Sequence, residues 1–415
     1  MDAFNELLES FSSSKREKLQ ELFDNYKLTK AQMLILLKAS ADLELFLEDD
    51  IFKFLDFEKI DKLQGKRRAQ EIVKQVEDKL NLLKYTPTDY STFYPPVIRR
   101  KKDNIEVISN DGLKLFGKCP CPVDGEKTRC CKLTTLDAAM QCSFGCAYCS
   151  VQSFYSQNKI KVVGNLEKSL ENIDLSTIWH IGTGQASDSL LLGDSYNTLT
   201  SLSNFAKKHE NIVIELKSKS SRHDFFDKPY PPNMVFTWSL NAPTIIEKEE
   251  HLTASLDERI NCARLARDNK NLVGFHIHPM VYFKGWEKEY KEVVEKIEEK
   301  FSPNEVMMIS FGTLTFTKAV LQHLRTHRTP SRVLEIPLVE AAGKYSYNYE
   351  IKEEMFKTIY SYFSKEFKQN VFFYLCMEDP KLWMPCLNRE YNCDKDFETD
   401  MRNHYLGKIK AFKGN

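Results

Sequence analysis

The sequence predicts an α/β fold: a partial (β/α)6 barrel, similar to a TIM barrel, with an added N-terminal helical domain. From Lys132 onward, short β-rich runs alternate six times with helix-like segments, which favours a parallel sheet with helices outside it, either a barrel or a doubly wound sheet. Residues 1–64 instead contain no glycine or proline, and their apolar positions recur at helical spacing. A length of 415 residues suits two or three structural units.

The N-terminal part is predicted to form a small helical domain. Capping boxes at Ser14–Glu17 and Thr29–Gln32 place a Ser or Thr three residues before a Glu or Gln, which favours helix starts at these points. The chain is then divided into residues 1–84 (helical domain), 85–131 (linker with a cysteine-rich segment), 132–385 (sheet domain with a final helix and strand) and 386–415 (C-terminal tail).

The sheet domain is predicted to contain six strands before its final helix and strand. These strands are Lys132–Thr135, Ile178–Ile181, Ile212–Leu216, Val235–Leu240, Val273–His278 and Val306–Ser310. The helices are Thr198–Lys208, Leu256–Asp268 with a Ser255–Glu258 capping box, Tyr290–Phe301, Lys318–Arg325 and Glu353–Phe367, the last leading into strand Val371–Cys376. Because the carboxyl ends of parallel strands meet at one edge, we expect the functional residues just after the strands.

Composition narrows the functional classes. Lys+Arg and Asp+Glu both number 59, so nucleic-acid binding would depend on local basic segments such as Arg99–Lys102, Lys217–Arg222 and Arg325–Arg332. The longest apolar run, Val371–Met377, is much shorter than the roughly 18–20 residues of a membrane span. The first ten residues lack the features of a signal peptide, which favours a cytoplasmic location without membrane attachment.

Cysteine is the most informative residue type. Seven of the eleven cysteines lie between Cys119 and Cys149, and clustered cysteines in a reducing compartment favour metal binding or reactive thiols over disulfides. Cys142, Cys146 and Cys149 form a C-x3-C-x2-C motif directly after the first predicted strand. Three thiolates can hold three irons of a [4Fe-4S] cube and leave the fourth iron open, whereas a structural zinc site uses four protein ligands. Zinc and inert thiols remain the alternatives.

A second group of cysteines lies just upstream, in a C-x-C-x8-C-C pattern of Cys119, Cys121, Cys130 and Cys131. Four soft ligands suit an auxiliary iron–sulfur cluster or zinc. On a strand, however, adjacent cysteines point to opposite faces, so packed thiols are the alternative. His276 and His278 alternate on one predicted strand and should share a face, either lining the barrel or packing in its core.

The triad after the first strand of a six-fold β/α chain resembles the radical S-adenosylmethionine (SAM) superfamily, whose open iron binds SAM and whose reduced cluster cleaves it to a 5′-deoxyadenosyl radical. Further segments resemble the spore photoproduct lyase family: Trp238–Asn241, Glu247–Glu258, Gly274–Pro279, Gly285–Glu287, Phe311–Leu314 and Tyr374–Glu378. The resemblance covers roughly residues 95–385. It implies a radical SAM barrel, a [4Fe-4S] cluster, SAM, and a reductant such as flavodoxin or ferredoxin.

The resemblance also implies individual roles. Lys219 matches a lysine that reaches the SAM carboxylate, while Ser239 and Asn241 match a Ser-x-Asn segment beside the cofactor. Asp188 is expected to accept hydrogen bonds from hydroxyl groups of SAM or substrate, and Tyr148 matches the first of two tyrosines in the family's hydrogen relay.

Two positions depart from the family pattern. Gln185 stands where the family has its hydrogen-donor cysteine, and Ser150 stands in place of the second tyrosine. Since an amide has no weak S–H bond to give, the sequence predicts SAM cleavage and hydrogen abstraction from an unidentified substrate, with Gln185 beside the cofactor. One alternative is photoproduct repair with another thiol, such as Cys131 or Cys376. The other is a zinc-stabilised nucleic-acid-binding protein without catalysis.

Overall fold

The computed structural model describes residues 3–85, 87–99, 103–109, 115–119, 127–151, 159–171 and 173–413. Within these ranges, no helix is both long and apolar enough to cross a membrane. The N-terminal part consists of helices α1 (Ala3–Glu9), α2 (Ser13–Tyr26), α3 (Lys30–Leu45), α4 (Phe57–Asp61) and α5 (Lys66–Tyr85).

The capping predictions for this part hold at one of two sites. Thr29 and Gln32 form the expected capping box at the start of α3. The prediction for Ser14 is wrong, because α2 begins one residue earlier, at Ser13. Ser12 is the N-cap, and its hydroxyl accepts a hydrogen bond from the backbone N–H of Lys15 at 3.4 Å.

The rest of the described chain alternates strands and helices. The strands are β1 (Ile105–Ile108), β2 (Phe116–Lys118), β3 (Thr134–Leu136), β4 (Ala139–Met140), β5 (Gly145–Cys146), β6 (Ile160–Val163), β7 (His180–Thr183), β8 (Val213–Ser218), β9 (Met234–Leu240), β10 (Glu250–His251), β11 (Leu272–Met280), β12 (Val306–Thr313), β13 (Thr315–Phe316), β14 (Val339–Ala341), β15 (Lys344–Ser346) and β16 (Phe372–Leu375). The helices are α6 (Leu166–Ser169), α7 (Thr198–Lys208), α8 (Pro243–Glu249), α9 (Leu256–Asp268), α10 (Trp286–Lys300), α11 (Lys318–His327), α12 (Tyr349–Tyr362), α13 (Lys365–Asn370), α14 (Trp383–Leu387) and α15 (Asp394–Lys413).

The main sheet confirms the α/β prediction. Its eight strands run in the order β16-β12-β11-β9-β8-β7-β3-β2, and the sheet is curled. All neighbouring pairs are parallel except β2 with β3. Seven strands therefore bring their carboxyl ends to one edge, where polar loops meet. The final strand β16 joins the sheet beside β12.

Some predicted boundaries differ from the structure. The first strand of the sheet domain begins at Thr134, because Lys132 has a φ of 50°, which no strand residue adopts. The predicted helix Glu353–Phe367 is wrong as one element, since it divides into α12 and α13. Phe363 is extended, and Ser364 caps α13 by accepting from the N–H of Phe367 at 3.3 Å. The capping box at Ser255 is confirmed.

The N-terminal helices contact the sheet domain through charged side chains at and beyond the end of α11. Three ion pairs join the two parts: Arg325 Nε to Asp42 Oδ1 at 2.6 Å, Arg328 Nε to Glu44 Oε2 at 2.7 Å, and Arg332 Nη2 to Glu48 Oε1 at 3.0 Å. The sequence suggested that the basic segment 325–332 contacts phosphates. In the structure its three arginines instead pair with carboxylates of the N-terminal helices and the residues that follow them. Arg100, Lys101 and Lys102 lie outside the described residues, as does Cys121 of the upstream cysteine group.

Candidate active site

A cavity of about 270 Å³ opens at the carboxyl edge of the sheet. Cys142, Cys146 and Cys149 all line it, as the spacing of the triad predicts. Their loop follows β3 and is held on both sides by short strands: β4 pairs with β6, and β5 pairs with β10. Backbone pairing therefore holds the three cysteines close to where the parallel strands end.

The loop carrying the triad is tightly packed against β10. Cys146 lies directly opposite Glu250 in the β5–β10 pair, and the N–H of Ala147 donates to the carbonyl of Glu249 at 2.7 Å. A Cβ on Gly145 would lie 3.3 Å from the Cβ of His251, so a larger residue would press on the strand. The small residue in the motif thus permits this close approach.

The thiols are in a poorly hydrated environment. Burial raises the pKa of Cys146 to about 12, although the nearby Lys219 ammonium opposes the rise. Burial also raises the pKa of Cys142 well above its ordinary value. In the described part of the chain, no group of three or more His, Cys, Asp or Glu side chains is placed to hold a single metal ion. A [4Fe-4S] cube makes a different demand, because each thiolate bonds to its own iron.

Lys219 connects the cysteine loop to a buried acid. Its Nζ lies 2.6 Å from the hydroxyl of Tyr148, 2.9 Å from Oε1 of Glu250 and 4.0 Å from the sulfur of Cys146. Tyr148 accepts a hydrogen bond from Lys219 and donates one to Glu250. The cation is thereby fixed at the cavity wall, beside the middle cysteine of the triad.

Glu250 is the centre of this polar network. Its side chain is fully buried, and it accepts hydrogen bonds from Arg259 at 2.6 Å and from the amide of Asn241 at 3.1 Å. Burial alone would raise the pKa of Glu250, but the charges of Arg259 and Lys219 hold it well below its usual range. The acid therefore stays ionised and balances two buried cations.

Asp188 fixes the backbone of the strand end that carries Lys219. It accepts from the hydroxyl of Ser218 at 2.8 Å, from the N–H of Leu190 at 3.0 Å and from the N–H of Lys219 at 2.7 Å. Burial raises its pKa, and these donors oppose the rise. Gln185 and Ser239 also line the cavity, together with Asp188.

Two sequence-predicted site residues do not line this cavity. Asn241 is completely buried behind the wall, where its amide donates to Glu250 and to the carbonyl of Pro279, and its oxygen accepts from Tyr290 at 2.7 Å. Cys376 is also absent from the lining, although the next residue, Met377, contributes to it. Asn241 therefore acts on the cavity indirectly, through Glu250 and through Pro279, which lines the cavity.

Sequence reasoning did not assign roles to Glu250 and Arg259, which lie in or beside the segment that resembles the family. The many charged residues around them in the sequence predict an exposed segment, and only the folded structure shows that both side chains are buried. His276 and His278 share a face, as predicted, but differ in surroundings. His278 lines the cavity, and burial and Lys217 lower its pKa to about 3, whereas His276 contacts Glu215 and Ser310 in the core.

Comparison with known proteins identifies a family that matches more than half of the chain. Residues 134–376 match the family model described as "Spore photoproduct lyase". A curated relative of that name from Clostridium acetobutylicum is 27% identical over 148 residues, which cover 31% of this chain and 41% of the relative. The chain thus spans less than half the length of this relative.

Two solved structures have a similar fold. One is a double mutant of spore photoproduct lyase with bound AdoMet and dinucleoside spore photoproduct, with a TM-score of 0.53. The other is spore photoproduct lyase complexed with dinucleoside spore photoproduct, with a TM-score of 0.52. Each is 21% identical, and each match covers 65% of this chain and 82% of the other. Because the family model matches more than half of the residues of this chain, the chain belongs to the spore photoproduct lyase family.

Proposed function

We propose that this protein is a radical SAM lyase that binds a [4Fe-4S] cluster through Cys142, Cys146 and Cys149. SAM occupies the adjacent cavity, and a hydrogen atom is abstracted from a DNA-derived substrate. One observation carries the proposal: the three cysteines of a single loop and the Lys219 ammonium open onto the same cavity. The curled sheet supports the finer assignment to a partial (β/α)6 barrel of the radical SAM type, preceded by a helical domain at residues 1–84.

The residues present fit such a cofactor. Three thiols are offered, and the described lining of the cavity contains no fourth cysteine that would cap the remaining iron. Lys219 lies 4.0 Å from the sulfur of Cys146, close enough to balance part of the negative charge of an iron–thiolate centre. When bound, the cluster and SAM supply reductive cleavage and a carbon-centred radical.

The chain's own residues bind and orient the cofactor. Lys219 provides the cation for the SAM carboxylate, and Glu250 and Tyr148 hold that cation in place. Asp188 fixes the backbone N–H of Lys219, and Ser239 adds a hydroxyl to the wall. The buried ion network keeps the cation near the cysteine loop without bulk water.

The hydrogen-return step differs from that of the family. Gln185 and Ser150 line the cavity where the resemblance places a cysteine and a tyrosine, so neither position can donate a hydrogen atom as those groups do. The solved relatives bind dinucleoside spore photoproduct, which supports a DNA-derived substrate here. Repair of the photoproduct with Cys376 as the donor is the second candidate function, and the cavity position of its neighbour Met377 favours it.

The first test is anaerobic reconstitution with iron and sulfide, reduction with dithionite or a flavodoxin, and measurement of 5′-deoxyadenosine after SAM is added. The protein is expected to form 5′-deoxyadenosine, and Cys146→Ala to lose both iron and product. Cys393→Ala removes an exposed cysteine and is the matched control. A colourless protein that instead holds zinc and binds DNA or RNA would reject the proposal and support the zinc-stabilised alternative.

The substrate assignment needs its own measurement. Reconstituted protein is incubated anaerobically with dinucleoside spore photoproduct, and thymidine release is compared between the native chain and Cys376→Ala. Release that depends on Cys376, in a variant that keeps the full iron content of the native chain, would establish repair with this donor. Formation of 5′-deoxyadenosine without thymidine release would exclude photoproduct repair and leave hydrogen abstraction from another substrate.

A further inference from the structure

A second group of cysteines lies where the two ends of the main sheet approach each other. Cys119 follows β2, Cys130 and Cys131 precede β3, and Cys376 follows β16. We call Cys119, Cys130, Cys131 and Cys376 the seam cysteines. β2 and β16 are the opposite edge strands of the eight-stranded sheet, so these four residues come from both edges.

Backbone hydrogen bonds place the segments of the seam side by side. The N–H of Arg129 donates to the carbonyl of Glu378 at 3.1 Å, which joins the chain before β3 to the chain after β16. The N–H of Cys119 donates to the carbonyl of Leu133 at 3.1 Å. The side chain of Arg129 also holds the carbonyls of Tyr391 and Asn392 at 3.0 and 2.7 Å. The curled sheet is therefore bridged at this point.

The thiols of Cys130 and Cys131 are hydrogen-bonded to each other, and those of Cys376 and Cys119 lie near enough to act electrostatically on Cys131. A hydrogen bond with Cys130 raises the pKa of Cys131, and burial and the thiols of Cys376 and Cys119 raise it further. Burial and the thiol of Cys119 likewise raise the pKa of Cys376. The expectation that Cys130 and Cys131 point to opposite faces of a strand is wrong, because both precede β3 and their thiols are hydrogen-bonded to each other.

A buried cation faces the same group. Burial lowers the pKa of Lys217, but Glu215 and the thiols of Cys376, Cys119 and Cys131 outweigh this and raise it. Lys217 also lines the cavity beside the triad. An ammonium in this position is suited to balancing a buried anionic centre on one side while it borders the cofactor cavity on the other.

We propose that the seam cysteines hold a second iron–sulfur cluster, separate from the cluster of the triad. Four cysteine thiolates are the complete ligand set of a [4Fe-4S] cluster. Each thiol loses its proton as its sulfur bonds to iron, and the iron and sulfide come from solution. Zinc on the same four thiols is the competing assignment, and the test distinguishes the two. In this assignment Cys376 is a ligand and not a hydrogen donor.

A second cluster would also stabilise the fold by cross-linking distant segments of the chain. It links residues near position 119, positions 130–131 and position 376, which are distant in sequence and lie on opposite edges of the sheet. Metal binding to ligands that come together only in the folded chain adds its free energy to folding. Loading the seam should therefore raise the unfolding temperature even when the triad is absent.

The test counts iron and sulfide in three forms of the full chain after the same anaerobic reconstitution. The native chain should hold about eight irons, and a variant with Cys142→Ala, Cys146→Ala and Cys149→Ala should retain about four, with a visible iron–sulfur absorption band. A variant with Cys130→Ala and Cys131→Ala should also retain about four and still change its electron paramagnetic resonance signal when SAM is added. Cys386→Ala, which removes a buried cysteine elsewhere, should retain the full complement.

The two proposals fail in different ways. A triad variant that is folded by circular dichroism but holds no iron would overturn the second cluster and leave the SAM site intact. Zinc bound by that variant in place of iron would overturn it as well. If the seam variant does not fold, single Cys119→Ser and Cys376→Ser variants replace it. Retention of the full native iron by both would also reject the assignment.

Discussion

At the scale of single residues, Glu250 determines how the cavity wall is built. One carboxylate accepts from Tyr148, Lys219, Arg259 and Asn241, so residues from four different segments depend on it. Its neighbour Glu247 is exposed and pairs with Lys248 at 2.9 Å on the surface. The two acids are close in sequence and opposite in burial, which makes them a matched pair for mutation.

Glu250→Gln is expected to destabilise the fold and to loosen the cofactor site. Removing the charge leaves Arg259 and Lys219 without their buried counter-ion, which costs about 3–5 kcal/mol of unfolding free energy. Urea unfolding measures the loss, and iron retention after reconstitution reports on the site. Glu247→Gln should change the unfolding free energy by less than about 0.5 kcal/mol. Equal effects of the two substitutions would contradict the role given to Glu250.

At the scale of secondary structure, boundaries follow local capping where it is strong and tertiary contacts where it is not. Thr29 and Ser255 each form a complete capping box, and both helices begin where the sequence predicts. The break between α12 and α13 depends in addition on a distant partner, because the N–H of Ser364 donates to Glu298 at 2.7 Å. Apolar periodicity continues across this break, which is why the pattern predicted one helix.

The contact between α3 and α11 is expected to depend on Asp42. Asp42 is buried and accepts from Arg325 at 2.6 and 3.0 Å, with Lys84 at 3.7 Å. Asp42→Asn should lower the unfolding free energy by about 2–3 kcal/mol, because two cations lose their counter-ion. Limited proteolysis should then cleave the N-terminal helices faster.

Asp49→Asn is the control for that substitution. Its carboxylate pairs with Lys53 at 2.7 Å, but both side chains are more than half exposed. Solvent screens such a pair, so the expected change in unfolding free energy is below about 0.5 kcal/mol. Similar protease resistance of the Asp42→Asn variant and the native chain would show that apolar packing alone holds the helices in place.

At the scale of the whole molecule, the chain keeps protonatable acids in its interior. Glu249 accepts from Tyr90 at 2.8 Å and from the N–H of Arg332 at 2.8 Å, and Glu335 lies near both Arg332 and Glu249. Burial raises the pKa of Glu249 and of Glu335 to about 7. These acids lie between the N-terminal helices and the strand that carries Glu250.

The raised pKa values predict that the contribution of Glu249 and Glu335 to the unfolding free energy falls as pH rises from about 4.5 to about 7. Three histidines contribute in the opposite direction, because burial lowers the pKa values of His276, His278 and His404 to about 4, 3 and 4. In this window the unfolded chain loses its carboxyl protons while the folded chain keeps them, so each of the two acids makes unfolding easier by on the order of 3 kcal/mol. Above that window both states are ionised and the contribution is constant. Urea unfolding at pH 5 and pH 8 measures the difference. Between pH 5 and pH 8 the native chain should lose more stability, or gain less, than Glu249→Gln, and equal changes in the two proteins would show that Glu249 does not titrate in this window.

The features that could be predicted from the sequence are those determined by residues close together along the chain. The triad spacing placed Cys142, Cys146 and Cys149 on one cavity, and strand-end positions placed Lys219, Asp188, Gln185 and Ser239 beside it. Parallel strands make this possible, because each strand's carboxyl end must reach the same edge. Alternation of β-rich and helical segments likewise predicted the α/β sheet, including its final strand.

Features that depend on contacts between distant segments could be recognised only in the folded structure. The burial of Glu250 and Arg259, the position of Asn241 behind the wall, and the meeting of Cys376 with Cys131 all join segments far apart in sequence. Spacing and periodicity describe only neighbours along the chain, whereas burial of a charge depends on which segments enclose it. The spacing of the cysteine triad is therefore local in origin, and the network that holds its loop is a product of packing.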